Sequence, residues 1–132
     1  MKTSFHFSAL VIAGLLAAAA LGALTGCASS DTTASSAAVY VRGSLQISFP
    51  HTFDQVVAAS NRAIDQLGFI KASEKNAARS ATIIAGDSDS RKVEIWIESA
   101  GENLTRLHIR IAMLGDEEAS TVILDQIRKN LG

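Results

Sequence analysis

Two stretches near the C-terminus alternate between apolar and polar residues at every second position. They are Lys92–Ser99 and Thr105–Met113, separated by the turn residues Gly101-Glu102-Asn103. A period of two is typical of a β-strand with one buried face. The apolar positions, which we expect to face the core, are Val93, Ile95, Ile97, Leu107, Ile109, Ile111 and Met113.

Three further strands are predicted on weaker patterns. Val39–Phe49 alternates from Arg42 onwards and ends before Pro50, the only proline of the chain. Phe69–Glu74 and Ala81–Ala85 are shorter and are joined by the polar turn Lys75–Arg79. Gly86–Ser90 has the composition of a turn, so the middle of the chain is rich in strands.

Two helices are predicted at either end of this strand-rich region. In the first, Thr52 and Gln55 have capping-box spacing, and Gly68 is a C-terminal stop. The second begins after Asp116 and runs through Leu131, with acidic residues at its start and basic residues at its end. The expected apolar positions are Phe53, Val56, Val57, Ala63, Ile64 and Leu67 in the first helix, and Val122, Ile123, Ile127 and Leu131 in the second.

The predicted order is β-α-β-β-β-β-α, or β-α-β-β-β-α if the weak second strand does not form. Because each alternating strand has one polar face, we expect an antiparallel sheet of four to five strands with both helices packed on one face. This is an α+β fold. The other face of the sheet is then open to water or to a partner.

Charge complementarity predicts the register of the last two strands. A five-residue connection, 100–104, places Glu98 opposite Arg106, Trp96 opposite His108 and Glu94 opposite Arg110. A three-residue connection would instead oppose Lys92 and Arg110, two like charges, which costs stability. The longer connection also places Trp96 and His108 between two cross-strand ion pairs.

The six residues of this polar face, Glu94, Trp96, Glu98, Arg106, His108 and Arg110, are the candidate binding face. One interpretation is that the pairs only stabilise the hairpin, by about 0.2–1 kcal/mol each. The other is a recognition surface, since Trp and Arg dominate the energetics of many interfaces. The sequence leaves both interpretations open.

Composition and motifs argue against several other functions. The chain of 132 residues has a net charge of −1, which does not favour nucleic-acid binding. Asp87, Asp89 and Glu98 have part of a calcium-loop spacing, but Lys92 stands where that loop needs glycine. No metal site, no cofactor and no catalytic residues are predicted, so we expect a protein that is not an enzyme.

The N-terminal segment is typical of a secretory signal. Lys2 precedes an apolar run, residues 9–24, which is short of the roughly 20 residues that span a bilayer. A spanning helix, or an ordinary signal ending near Ala23, is the alternative. The second of these would leave the only cysteine, Cys27, unpaired in an oxidising compartment.

Leu24-Thr25-Gly26-Cys27 resembles the bacterial lipobox. The resemblance implies diacylglycerol on the Cys27 thiol, cleavage before Cys27, and acylation of the new amine by a chain such as palmitate. The expected organisation is a signal peptide at 1–26, a lipidated cysteine with a flexible tether at 27–38, and a domain at 39–132. Ala28 and Ser29 imply the outer membrane, facing the periplasm, rather than the inner membrane.

The domain itself resembles a family of small Gram-negative lipoproteins known only as a domain of unknown function. The matching segments are Tyr40-Val41-Arg42-Gly43, Lys92–Ile97, Ile109-Arg110-Ile111 and Leu114-Gly115-Asp116-Glu117. In element order the domain is also similar to the lipoprotein component of the outer-membrane barrel-assembly machinery. We therefore expect a membrane-anchored module that binds a protein or an envelope component. The alternative is a small-ligand or lipid-binding module with a pocket between helices and sheet, at Ala58, Ala59, Ala63 and Ala119.

Overall fold

A computed structural model describes residues 37–132. The predicted signal peptide, Cys27 and nearly all of the tether lie outside the described residues. The strands are β1 (Val39–Val41), β2 (Ser44–Phe49), β3 (Ile70–Ala77), β4 (Ser80–Gly86), β5 (Lys92–Gly101) and β6 (Leu104–Ile111), and the helices are α1 (Phe53–Gln66) and α2 (Glu117–Leu131).

The six strands form one antiparallel sheet in the order β1-β2-β6-β5-β4-β3. The last strand, β6, therefore lies between β2 and β5. One face of the sheet packs against both helices, and the buried residues of the two layers form one apolar cluster. The prediction of an α+β fold with an antiparallel sheet and two helices is confirmed.

Both helices begin as the sequence predicts. The Thr52 hydroxyl accepts a hydrogen bond from the Gln55 backbone N–H, and the Gln55 side chain accepts one from the Thr52 N–H. The Asp116 carboxylate accepts a bond from the Ala119 N–H at 2.9 Å. These side chains satisfy backbone donors that the first turn of a helix leaves unpaired.

The helices meet the sheet through aliphatic and small side chains. Val56, Ala63 and Ile64 of α1 are fully buried, as predicted, and so are Ile123 and Ile127 of α2. The prediction for Val122 is wrong, because this side chain is 52% exposed. Leu124 is buried instead, since the core-facing side of α2 follows Ser120, Ile123, Leu124 and Ile127 around the helix.

The predicted first strand, Val39–Phe49, is wrong: it is a hairpin of two strands, β1 and β2. Arg42 and Gly43 form the turn with φ of 50° and 78°, and positive φ at both central residues is the type I′ pattern. The sheet consequently has six strands rather than four to five, and the order is β-β-α-β-β-β-β-α.

The other strand boundaries differ in detail. The turn between β3 and β4 is two residues long, so β3 extends to Ala77, beyond the predicted end at Glu74. The prediction that Met113 faces the core is wrong, since Met113 is 84% exposed. Ala112 has a φ of 57°, which ends the extended backbone of β6 and breaks the alternation before Met113. Neither described helix is long and apolar enough to span a membrane.

Candidate functional site

The β5–β6 hairpin has the predicted register. Trp96 is paired with His108, Glu98 with Arg106, and Glu94 with Arg110. On the opposite face Ile95 is paired with Ile109, and both are fully buried under the helices. Because side chains alternate along a strand, burial of this row fixes Trp96 and His108 on the face that the helices leave open.

The connection between β5 and β6 is shorter than predicted. The strands pair as far as Gly101 and Leu104, so the turn is Glu102-Asn103, and the register shifts between Ser99 and Gly101. A β-bulge at this shift inserts one unpaired residue, Ala100. The bulge lets the tight turn coexist with the predicted pairing of Trp96 and His108.

Two strands that the sequence did not resolve extend this face. Gln46 of β2 is paired with His108, and Ser48 is paired with Arg106. Beyond β2, the side chains of Val39 and Val41 lie on the same face and are 54% and 42% exposed. Only the Arg42-Gly43 turn could have revealed this from the sequence, because it brings β1 back beside β2.

These side chains line an open, two-part groove over β2, which we call the β2 groove. One part, of about 450 Å³, is lined by Ala37, Val39, Gln46, Ile47, Ser48, Glu98, Arg106 and His108. The other, of about 400 Å³, is lined by Val41, Arg42, Ser44, Gln46, Trp96, Glu98, His108 and Arg110. Gln46, Glu98 and His108 belong to both parts, so the two parts are adjacent. Of the candidate face, Glu94 alone lies outside the groove lining.

The two cross-strand ion pairs are not formed among the described residues, so that prediction is wrong. Glu94 pairs with Lys92, two positions away on the same face of β5. Arg110 donates a hydrogen bond to the Met113 carbonyl oxygen at 2.5 Å. The nearer partners of Glu94 and Arg110 thus replace the cross-strand contacts, and the charges of Glu98 and Arg106 stay exposed to solvent.

The four alanines of the alternative pocket, predicted between the helices and the sheet, differ in burial. Ala59 and Ala63 are fully buried there, and Ala58 is exposed on another side of α1. Ala119 is partly buried against the core. A separate cleft of about 220 Å³ lies at the helix ends, lined by His51, Gln55, Ala58, Arg62, Asn130 and Leu131. Ala59 and Ala63 therefore belong to the core, and a ligand pocket beneath the helices stays a prediction.

The acidic loop between β4 and β5 is organised by its own arginine. One Asp87 carboxylate oxygen accepts bonds from the N–H groups of Asp89 and Arg91, and the other accepts from Arg91 Nε at 2.7 Å. Arg91 also pairs with Asp116, the cap of α2, at 2.7 Å. Desolvation raises the pKa of Asp87, but its hydrogen bonds from Arg91 outweigh this, and the net shift is downwards. The Ala119 N–H and then Arg91 lower the pKa of Asp116.

This network joins the β4–β5 loop to the start of α2, and it gives Asp87 a structural role.

Among residues 37–132, no three His, Cys, Asp or Glu side chains are grouped in a way that could hold a metal ion. Within the part of the chain that the structure describes, the fully buried hydroxyl of Ser60 has no hydrogen-bond partner, whereas the buried Ser120 hydroxyl donates to Asp116 O at 2.6 Å.

The comparison with curated proteins finds no match. A family model described as "Protein of unknown function (DUF3568)" matches residues 9–130. This description assigns no activity to the chain and no role to its residues. Since the match extends over nearly the whole sequence, the chain belongs to the DUF3568 family.

Proposed function

We propose that this protein is a lipid-anchored envelope protein whose open sheet face binds another protein without catalysing a reaction. The anchor is diacylglycerol on Cys27, and the domain at 39–132 faces the periplasm from the outer membrane. The binding surface is the β2 groove together with the Trp96–His108 pair.

The anchor rests on the sequence around Cys27. The apolar run at 9–24 ends in Leu24-Thr25-Gly26-Cys27, and the only cysteine of the chain stands at the position that a lipobox modifies. Two or more acyl chains, at about 0.8 kcal/mol per buried methylene, hold a protein stably on a membrane. A tether of about 11 residues, at roughly 3.3 Å per residue, keeps the domain within about 35 Å of that membrane.

The main observation that supports the binding role is that the two faces of the sheet differ in burial. One face is covered by both helices, and its apolar residues on β2, β4, β5 and β6 are almost fully buried. The other carries the β2 groove, with a half-buried Trp96 beside His108. Tryptophan is enriched at protein interface hot spots, which supports a binding role for Trp96 at the side of this groove.

Loss of a partner on substitution tests the binding face. We expect the double variant Trp96→Ala/Arg106→Ala to lose proteins that co-purify with the parent chain from membranes under mild detergent. The matched control is Val122→Ala, because Val122 is exposed on α2, in the layer that covers the other face of the sheet. Co-purification that is unchanged in the double variant would remove the groove as the binding site.

The mass of the mature N-terminus tests the anchor separately. We expect membrane fractions to contain a chain that begins at Cys27 with the added mass of a diacylglycerol and an acyl group. Cys27→Ser should abolish both the added mass and the membrane association. A mature chain without lipid, or a Cys27→Ser variant that stays in membranes, would contradict the anchor.

A further inference from the structure

The β2 groove is basic although the chain as a whole is not. Its lining contains three arginines, Arg42, Arg106 and Arg110, against one carboxylate, Glu98. The complete chain has a net charge of −1. Positive charge is therefore concentrated on the open face, where a sequence-wide charge balance does not reveal it.

The helix layer carries the opposite charge. The two helices, with the Asp116 cap, have six acidic residues and three basic residues. The acidic residues are Asp54, Asp65, Asp116, Glu117, Glu118 and Asp125, and the basic residues are Arg62, Arg128 and Lys129. The fold thus separates charge between its two layers. A negatively charged partner is attracted to the open face and repelled by the helices, which favours one docking orientation.

The groove arginines keep capacity for a ligand. Within residues 37–132 no carboxylate lies within ion-pair distance of Arg42 or Arg106, and Arg110 uses its Nη2 on the Met113 carbonyl. A guanidinium has five N–H donors and matches the geometry of a carboxylate. These side chains can therefore bind carboxylates without first breaking an internal ion pair.

The shape of the groove fits an extended chain. Its floor follows β2 from Ser44 to Ser48, a length of about 13 Å at 3.3 Å per residue. The valines of β1 stand on one side, and Trp96, His108 and the arginines of β6 stand on the other. This length accommodates about four residues of an extended peptide, whose alternate side chains would face the floor.

We propose that the β2 groove binds an acidic, extended segment of a partner protein. The proposal rests on the proposed function and adds the chemistry of the partner. Carboxylates of the segment pair with Arg106 and Arg110 along β6, and with Arg42 at the turn. Apolar side chains of the segment contact Trp96 and the two valines of β1. A concave site with half-buried walls fits such a segment better than it fits a flat lipid surface.

The binding test uses the full chain in detergent and a dye-labelled ten-residue peptide of alternating glutamate and valine. Trp96 is the only tryptophan, so its fluorescence reports directly on the groove. We expect Arg106→Glu to weaken binding at least about fivefold, and 0.5 M salt to weaken it similarly, since such contacts are screened. Arg128→Glu is the matched control on α2 and should change affinity less than about twofold.

Three results would overturn the inference. They are equal binding of a lysine–valine peptide, equal effects of Arg106→Glu and Arg128→Glu, and displacement of the acidic peptide by phosphatidylglycerol added to the detergent. A photoreactive residue at position 96 in cells separates this inference from the proposed function. An adduct on a segment without acidic residues would overturn the inference and leave the binding face in place, whereas no adduct would contradict both.

Discussion

A close backbone contact between two glycines joins the β1–β2 turn to the start of α2. Gly115, just before the cap of α2, lies against Gly43 in the β1–β2 turn and against the Tyr40 hydroxyl. A Cβ at position 115 would come within 2.5 Å of the Gly43 Cα, and nearer still to its carbonyl oxygen. Gly115 also has a φ of +84°, which disfavours any residue with a Cβ.

Gly115→Ala therefore carries two costs, and Gly68→Ala separates them. Gly68 has a φ of +76°, but nothing lies within 4 Å of its added Cβ. We expect Gly68→Ala to lower the free energy of unfolding by about 1–2 kcal/mol, the cost of a left-handed residue. Gly115→Ala adds an overpacking cost of about 1–3 kcal/mol, for a total of roughly 2–5 kcal/mol.

Urea unfolding followed by Trp96 fluorescence and by circular dichroism measures both free energies. The difference between the two variants isolates the backbone contact, since both share the positive φ. Equal losses would refute the argument, because they would show that Gly115 has room for a Cβ and that the β1–β2 turn is not held by this contact. Displacement of β1 in Gly115→Ala should also weaken peptide binding in the β2 groove, whereas Gly68→Ala should leave binding unchanged.

Three further predictions concern stability. Ser60→Ala should raise the free energy of unfolding by roughly 1 kcal/mol because it removes an unpaired buried hydroxyl, and Ser120→Ala should lower it by a similar amount; equal effects in urea unfolding would contradict this. Met113→Ala should change the free energy of unfolding by less than about 0.5 kcal/mol. Ile111 is only 1% exposed, so Ile111→Ala should lower the free energy of unfolding by about 2–5 kcal/mol. A large loss for Met113→Ala would place the Met113 side chain in the core. The lowered pKa values of Asp87 and Asp116 mean that their contacts stabilise the fold above the ordinary carboxyl pKa of 3.8, and that this stability declines as the pH falls through the lower folded-state values. Arg91→Ala should therefore flatten the loss of stability in acid, as followed by urea unfolding from pH 6 to 2, and an unchanged pH profile would contradict the assigned role of Arg91.

The register of β5 and β6 could be predicted because two independent patterns agree on it. Alternation fixes which face each residue occupies, and the like charges of Lys92 and Arg110 disfavour the other register considered. The prediction placed Trp96, His108 and Arg106 together on the open face. The capping residues of both helices were equally clear, since their signals are local in sequence.

The groove itself could not be predicted in the same way. Arg42-Gly43 lacks the asparagine or aspartate that usually marks a type I′ turn, so the sequence pattern predicts one long strand in place of β1 and β2. The alternation predicts a core position for Met113 because it carries no signal of the left-handed backbone conformation of Ala112. Lys92 and Arg110 both lie near Glu94, and the register alone does not decide which of them forms the ion pair. These differences concern turns and side-chain choices, which the period-2 pattern does not encode.

Photo-crosslinking in intact cells tests the central claim, that the open sheet face binds a partner, most directly. A photoreactive residue replaces Trp96 in one variant and Val122, exposed on α2, in the control. We predict one dominant protein adduct from position 96 that is absent from position 122 and that disappears in the Arg106→Glu background. No adduct from position 96 in a folded, membrane-associated chain, or the same adduct from both positions, would contradict the claim.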